Sequence, residues 1–231
     1  MVDPVEYDRA PTMFSPDGRL LQVEYAKKTV KQGSSTIGII YKDGALIVAD
    51  KRILDPLIIK EAVEKIYEID DHIIASAAGI ISDARILMDY ARIKAMQHRL
   101  VYQSHIDVLE LVKEVSDIQQ VYTQVGGHRP FGVSLIIAGF DSSPRLFCTD
   151  PVGIYFPYYA VAIGAGEEKM MDFLHKNYKE NLSFEEALKL GINCLKEGVE
   201  NLSYERIIIK GVTKDKKIIT LQQDEIKKLL K

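Results

Sequence analysis

The stretch Tyr7-Asp8-Arg9-Ala10-Pro11-Thr12-Met13-Phe14-Ser15-Pro16-Asp17-Gly18-Arg19-Leu20-Leu21-Gln22-Val23-Glu24-Tyr25-Ala26 decides how this chain is read. Ser15-Pro16-Asp17-Gly18 is a turn, because proline suits its second position and glycine tolerates positive φ at its end. Beyond the turn, Leu20, Val23, Ala26 and Val30 recur at helical spacing. An arm over 1–14 therefore leads through a tight turn into an amphipathic helix over about 19–32, ahead of a single domain over 15–231 that includes this helix. The helix has little of its own domain to cover at this point in the chain, so its apolar stripe is expected to line contacts between subunits. Tyr7, Asp8 and Arg9 have two readings. One is a frayed polar terminus; the other is an arm whose directional hydrogen-bonding groups serve something other than a core.

Downstream, apolar β-branched runs over Ser35–Tyr41 and Ala45–Lys51 flank Lys42-Asp43-Gly44, a hairpin signal. Lys65–Asp70 and Ile73–Ala77 form a second pair around Asp70-Asp71. Two long helices follow, one with Ala84, Leu87, Met88, Ala91 and Ala95 on its apolar face, the other with Ile106, Leu109, Val112 and Val115. Val133–Phe140, Arg145–Thr149 and Ala160–Ile163 return to strand character. A third helix spans Glu167–Tyr178. A fourth starts at Ser183, where Ser183-Phe184-Glu185-Glu186 fits a capping box, and buries Ala187, Leu188, Gly191, Ile192 and Leu195. Ile207–Val212 and Lys217–Leu221 close the sheets before a terminal helix over Asp224–Leu230. Antiparallel pairs with helices grouped between them imply α+β layering rather than a βαβ parallel sheet.

A chain of 231 residues can bury one substantial core. Its net charge of -3, with acidic and basic residues interspersed, leaves no footprint for nucleic acid or an anionic membrane. Met1-Val2-Asp3-Pro4-Val5-Glu6 has neither a basic region nor an apolar run, and no segment is long and apolar enough to cross a bilayer, so a cytoplasmic protein is expected. Cys148 and Cys194 do not make a disulfide framework; reduced, buried thiols are expected.

The quoted stretch also resembles the N-terminal signature of proteasome α subunits, most closely the archaeal ones. The resemblance extends through Glu64-Lys65-Ile66, Ile69-Asp70-Asp71, Ala78-Gly79, Asp83-Ala84-Arg85, Tyr122-Thr123-Gln124, Gly126-Gly127, Arg129-Pro130-Phe131-Gly132-Val133-Ser134-Leu135, Asp150-Pro151 and Ala162-Ile163-Gly164. It implies a four-layer αββα sandwich of the N-terminal-nucleophile hydrolase type, preceded by an arm and a helix. It also implies a homo-heptameric α ring that templates β-subunit rings, admits unfolded protein substrates and docks an AAA-type ATPase activator, with no cofactor and no metal. Carried over position by position, Tyr7, Asp8 and Arg9 belong to a gate across the axial pore, and Pro16, Glu24 and Tyr25 to the set that holds it open. Lys65 would pair with the activator's C-terminal carboxylate, and Gly79 would let a peptide backbone approach beside it. The sequence departs from the family pattern at Asp3-Pro4-Val5-Glu6 and at Lys27-Lys28-Thr29, where Arg-Glu-Ala is expected.

Catalytic β subunits of the same family resemble this chain in the first hairpin, which raises a hydrolase reading with Ser34, Asp50 and Lys65 as its residues. A hydroxyl nucleophile of that kind relies on its own α-amine as base. Here the arm and helix precede Ser34, so the non-catalytic reading is preferred. A third reading is a scaffold ring with no gate. The remaining motifs are weak. Gly164-Ala165-Gly166 lacks the third glycine of a dinucleotide site and is read as a strand-to-helix turn. Asn181-Leu182-Ser183 and Asn201-Leu202-Ser203 are read as a helix cap and a turn. His72, His98, His105, His128 and His175 show no metal-ligand spacing.

Overall fold

The two apolar runs around Lys42-Asp43-Gly44 pair as an antiparallel hairpin of β1 (Thr36–Tyr41) and β2 (Gly44–Asp50), with Ile39 opposite Leu46. Both faces of β2 are apolar, so both are buried: Leu46 and Val48 on one side, Ala45, Ile47 and Ala49 on the other. The structure, a computed structural model, describes residues 12–53 and 55–229. Tyr7, Asp8 and Arg9 lie outside the described residues.

After the first helix, α1 (Leu21–Gln32), and this hairpin come β3 (Ile66–Asp70) and β4 (Ile73–Gly79), then the long helices α2 (Ile81–Tyr102) and α3 (Val108–Gln124). Strands β5 (Val133–Phe140), β6 (Pro144–Thr149), β7 (Tyr155–Pro157) and β8 (Ala160–Ile163) follow. The chain continues with helices α4 (Glu167–Asn177) and α5 (Phe184–Gly198), strands β9 (Ile207–Thr213) and β10 (Ile218–Thr220), and helix α6 (Gln223–Leu229). They form two five-stranded sheets, ordered β10-β9-β2-β1-β8 and β3-β4-β5-β6-β7, with every neighbour antiparallel.

Strand alternation sorts the side chains into three buried layers. Ile47, Ile74, Ile136, Leu146 and Val161 fill the space between the sheets. Leu135 and Ile137, one position either side of Ile136, face outward against Leu87, Met88, Val112 and Val115 of α2 and α3. On the other sheet, Ile37, Ile39 and Val48 face Leu174, Leu188, Ile192 and Leu195 of α4 and α5. The result is a four-layer αββα sandwich. Each of these fully buried aliphatic side chains contributes about 1.5–3 kcal/mol, and the middle layer makes the two sheets one unit.

The apolar faces read for α2 and α5 are the buried ones. Ser183 caps α5 through both bonds of a capping box. Gly164 and Gly166, at φ +97° and +75°, make the turn from β8 into α4. Asn181 and Asn201 take positive φ in turns, as short amide side chains tolerate.

Three expectations are corrected. The stripe of α1 does cover its own domain: Val23, Ala26 and Val30 are buried, and Val30 belongs to the layer between the sheets. Leu20 is the residue before the helix rather than part of its face. In α3 the buried face is Val108, Leu111, Val112, Val115 and Gln119, which leaves Leu109 exposed, because the helix starts at Val108 and Ile106 packs ahead of it. The edge strand Tyr155–Pro157 carries no period-2 signal of its own and forms only by pairing with β6.

Candidate functional site

Lys65 enters β3 from a loop, and its neighbour Ile66 pairs with Ser76 of β4. That register brings the Lys65 side chain across the hairpin to the far end of β4. Its ammonium donates to the Ser34 carbonyl at 3.0 Å and to the Ala77 carbonyl. An ammonium has three protons; two are committed to backbone, which fixes the group in place and leaves one for a ligand. Burial pushes the Lys65 pKa down to about 8, and the nearby Asp50 carboxylate offsets part of that. The group is thus a cation at neutral pH whose charge is incompletely neutralised.

The site around it is a cleft of about 70 Å³ lined by Ser34, Lys51, Arg52, Glu64, Lys65 and Gly79, among others. The sequence reading places Lys65 and Gly79 there and misses Lys51 and Arg52. Their signal lies in position: Lys51-Arg52 directly follows Asp50, the last residue of the central strand β2. The cleft is rich in cations, which suits an anionic ligand.

Gly79 ends β4 at φ +125°, and a Cβ there would meet the Gly132 carbonyl oxygen. The same oxygen accepts from the Ile80 N–H at 2.9 Å and from the Thr29 hydroxyl at 2.8 Å. A Cβ on Gly33 would in turn meet the Gly79 backbone. The end of α1, the end of β4 and the loop before β5 therefore meet at backbone distance, which only glycine permits.

Beneath them Asp83 receives both guanidinium nitrogens of Arg129, at 2.6 and 2.8 Å, and the Gly132 N–H at 2.8 Å. Burial works to raise the Asp83 pKa. The Arg129 and Gly132 hydrogen bonds outweigh it, and the net value lies below the ordinary carboxylate. Arg129 and Gly132 belong to the stretch that carries the family resemblance, and here they fix the loop before β5 against Asp83 and the end of β4.

Pro16, Glu24 and Tyr25 are exposed on the turn and on α1, beside exposed Met13 and Phe14. The turn is closed by the Gly18 N–H to the Ser15 carbonyl at 2.8 Å, and Gly18 takes φ +73°. Lys28 lies 5.3 Å over the Tyr25 ring. The three residues of the hydrolase reading do meet: the Lys65 ammonium donates to the Ser34 carbonyl and lies near Asp50, whose two oxygens accept from Arg206 at 2.9 and 2.6 Å. The two thiols are unpaired, and burial pushes each up to about 12, which favours the protonated thiol at neutral pH.

Residues 7–28 match the N-terminal signature of A-type proteasome subunits, and residues 30–212 match the proteasome subunit family. The chain belongs to the proteasome α-subunit family. It is 45% identical over 232 residues to the proteasome alpha subunit of Methanocaldococcus jannaschii, covering 100% of this chain and 89% of that one. To that of Pyrococcus horikoshii it is 46% identical over 225 residues, 97% and 86% of the two chains. To that of Archaeoglobus fulgidus it is 50% identical over 195 residues, 84% and 79% of the two. The αββα sandwich is that of the N-terminal-nucleophile hydrolases, as the family resemblance implies. Among the described residues no helix is long and apolar enough to cross a membrane.

Proposed function

We propose that this chain is a non-catalytic α subunit that forms homo-heptameric outer rings of a cytoplasmic proteasome core, templates β rings, gates the entry of unfolded proteins and docks an ATPase activator. The observation that carries the docking role is the Lys65 ammonium, fixed by two backbone carbonyls in a cation-lined cleft beside Gly79. A peptide C-terminal carboxylate complements such a site, and an adjacent glycine lets its backbone approach. A charge-assisted hydrogen bond contributes roughly 1.5–3 kcal/mol. Lys65→Ala should therefore weaken activator binding by about ten- to a hundredfold, with ring assembly and basal peptide cleavage by the assembled core unchanged. ATPase stimulation equal to wild type would refute the role.

The non-catalytic reading rests on Ser34 being preceded by a turn and helix that are part of the domain. Without a free α-amine the hydroxyl has no base of the kind its β-type relatives use. The alternative, an active hydrolase, requires loss of α1, and that would take Val23, Ala26 and Val30 out of the core. Mass spectrometry of the purified chain separates the two, since an intact N-terminus excludes the hydrolase; robust peptide hydrolysis by the isolated chain, lost in Ser34→Ala, would overturn the assignment.

Ring contacts then belong to the outward side of α1 and to Met13 and Phe14, since the buried stripe is spoken for. Phe14→Asp should shift native mass spectra from rings toward monomers without lowering monomer stability. The gate is tested by deleting residues 2–12. Casein degradation by the assembled core should rise severalfold without ATPase, with Asp8→Ala giving part of the effect. Equal rates in all three cores would leave a scaffold ring with no gate.

A further inference from the structure

At the other end of β3, away from the cleft, three side chains converge that the proposed function does not use: Asp70 at the end of the strand, His72 in the turn after it and His105 in the loop between α2 and α3. We propose that Asp70, His72 and His105 form a binding site for a divalent transition-metal ion of the zinc type.

The geometry is that of a ligand set. Asp70 Oδ2 lies 3.5 Å from His72 Nδ1 and 3.4 Å from His105 Nδ1, and one ligand atom from each residue lies within 4.8 Å of the others. An ion bonded tetrahedrally at about 2.0–2.1 Å sets its ligand atoms about 3.3–3.4 Å apart. Two of the three edges are already close to that value.

The deciding atom is His72 Nδ1. His72 is 1% exposed, and its Nδ1 is buried with no hydrogen-bond partner among the described residues. Its other nitrogen, Nε2, lies 2.9 Å from the Ile106 carbonyl oxygen. A carbonyl only accepts, so in the neutral ring Nε2 carries the proton and Nδ1 presents a bare lone pair. That lone pair faces the Asp70 carboxylate, which is also only an acceptor. Two acceptors held face to face in a buried position repel unless a cation lies between them. A histidine whose far nitrogen donates to a backbone carbonyl is also the usual way a metal ligand is oriented and its tautomer fixed.

Arg99 is the competing cation. Its guanidinium pairs with Asp70 Oδ1 and with Asp71 Oδ2, the latter at 3.0 Å, and approaches His105 Nδ1 at 3.2 Å. It takes the Oδ1 side, which leaves Oδ2 for the ion, and Asp71 keeps it anchored when His105 turns to the metal. Lys216 adds a second positive charge near His72. These charges hold the affinity below that of a closed four-ligand site. His105 is 40% exposed at its side chain, which provides an entry path and room for water as the fourth ligand. An ion here would tie the β3–β4 turn to the α2–α3 loop.

The test uses the full chain, dialysed against zinc chloride in a non-chelating buffer at neutral pH. One ion should bind per chain and raise the melting temperature, and cobalt(II) in its place should give the intense visible absorption of a tetrahedral nitrogen–oxygen site. His105→Ala and Asp70→Asn should each weaken binding by about tenfold or more. His98→Ala, which changes a neighbouring histidine outside the set, should bind as wild type. Because His105 is at the surface, its alanine variant keeps the fold even if a His72 variant does not. Absence of saturable binding, or binding left unchanged by His105→Ala, would overturn the proposal.

Discussion

The two ends of the β3–β4 hairpin solve the same problem, polar groups at a sheet edge, in opposite ways. At the open end, Lys65 is satisfied by carbonyls of the backbone, and the Gly132 carbonyl is satisfied by the Ile80 N–H and the Thr29 hydroxyl. At the turn end, the Arg99 guanidinium serves Asp70, Asp71 and His105 Nδ1 through side chains, and His72 Nδ1 is left over. Backbone partners cannot rotate away, so the open end is rigid and its charge stays where it is. Side-chain partners exchange, so the turn end can admit a different cation. Position and rigidity distinguish the proposed docking cleft from the proposed metal site more than the number of charges in either.

The largest effect should come from breaking the backbone contacts at the open end. In Gly79→Ala the backbone at 79 must hold a positive φ with a side chain attached, costing about 1–3 kcal/mol, and the new methyl meets the Gly132 carbonyl, costing about 1–3 kcal/mol more. A loss of roughly 2–6 kcal/mol in urea denaturation is expected, enough to remove much of a typical domain's stability. A change under about 1 kcal/mol would mean that this end is as adaptable as the other.

Asp83→Asn comes next. It removes the charge partner of Arg129 and leaves the amide to face the guanidinium, at a cost of about 1–3 kcal/mol. Because the folded-state pKa of Asp83 is lowered, its contribution is full above the ordinary carboxylate value of 3.8 and is lost as pH falls through the folded value. The difference between wild type and variant should therefore shrink in acid. A difference that is constant from neutral pH down to pH about 3 would remove the carboxylate from the argument.

Lys65→Met sharpens the comparison through pH. Lys65 titrates near 8 in the fold against 10.5 when unperturbed, so between these values the unfolded chain holds the extra proton. Wild-type stability should rise with pH across that window, and Lys65→Met should lack the rise. Activator affinity should move the other way, falling above pH about 8 as the ammonium is lost. Parallel stability profiles for the two proteins would contradict the buried-cation account of the cleft.

The smallest effect belongs to the turn end. Arg99 is 44% exposed at its side chain and its partner Asp71 70%; Asp70 is 8% exposed but also accepts from the Asp71 N–H, and a glutamine amide can still donate to it. Arg99→Gln should change stability by less than about 1 kcal/mol. A loss as large as that of Asp83→Asn would show that the side-chain network is as fixed as the backbone one.

The amino-acid sequence by itself determined the layers of this protein. Apolar β-branched runs such as Val133–Phe140, buried on both faces, and period-3.6 faces such as Ala84, Leu87, Met88 and Ala91 are local, and each states what will be buried. It also determined the family, through the unbroken stretch from Tyr7 to Ala26, and with it the nomination of Lys65 and Gly79. Periodicity reports a face but not what lies opposite it. Only the tertiary structure decided that the α1 stripe packs on β4 and β5 of its own domain, that Leu109 is outside, and that Lys51 and Arg52 share the Lys65 cleft. The same holds for Asp70, His72 and His105. The first two are neighbours in the chain, but the third arrives only because α2 and α3 pack on the outer sheet and return their connecting loop to the β3–β4 turn. Spacing along a chain carries no record of such a meeting, because the contacts that bring it about are made by other residues.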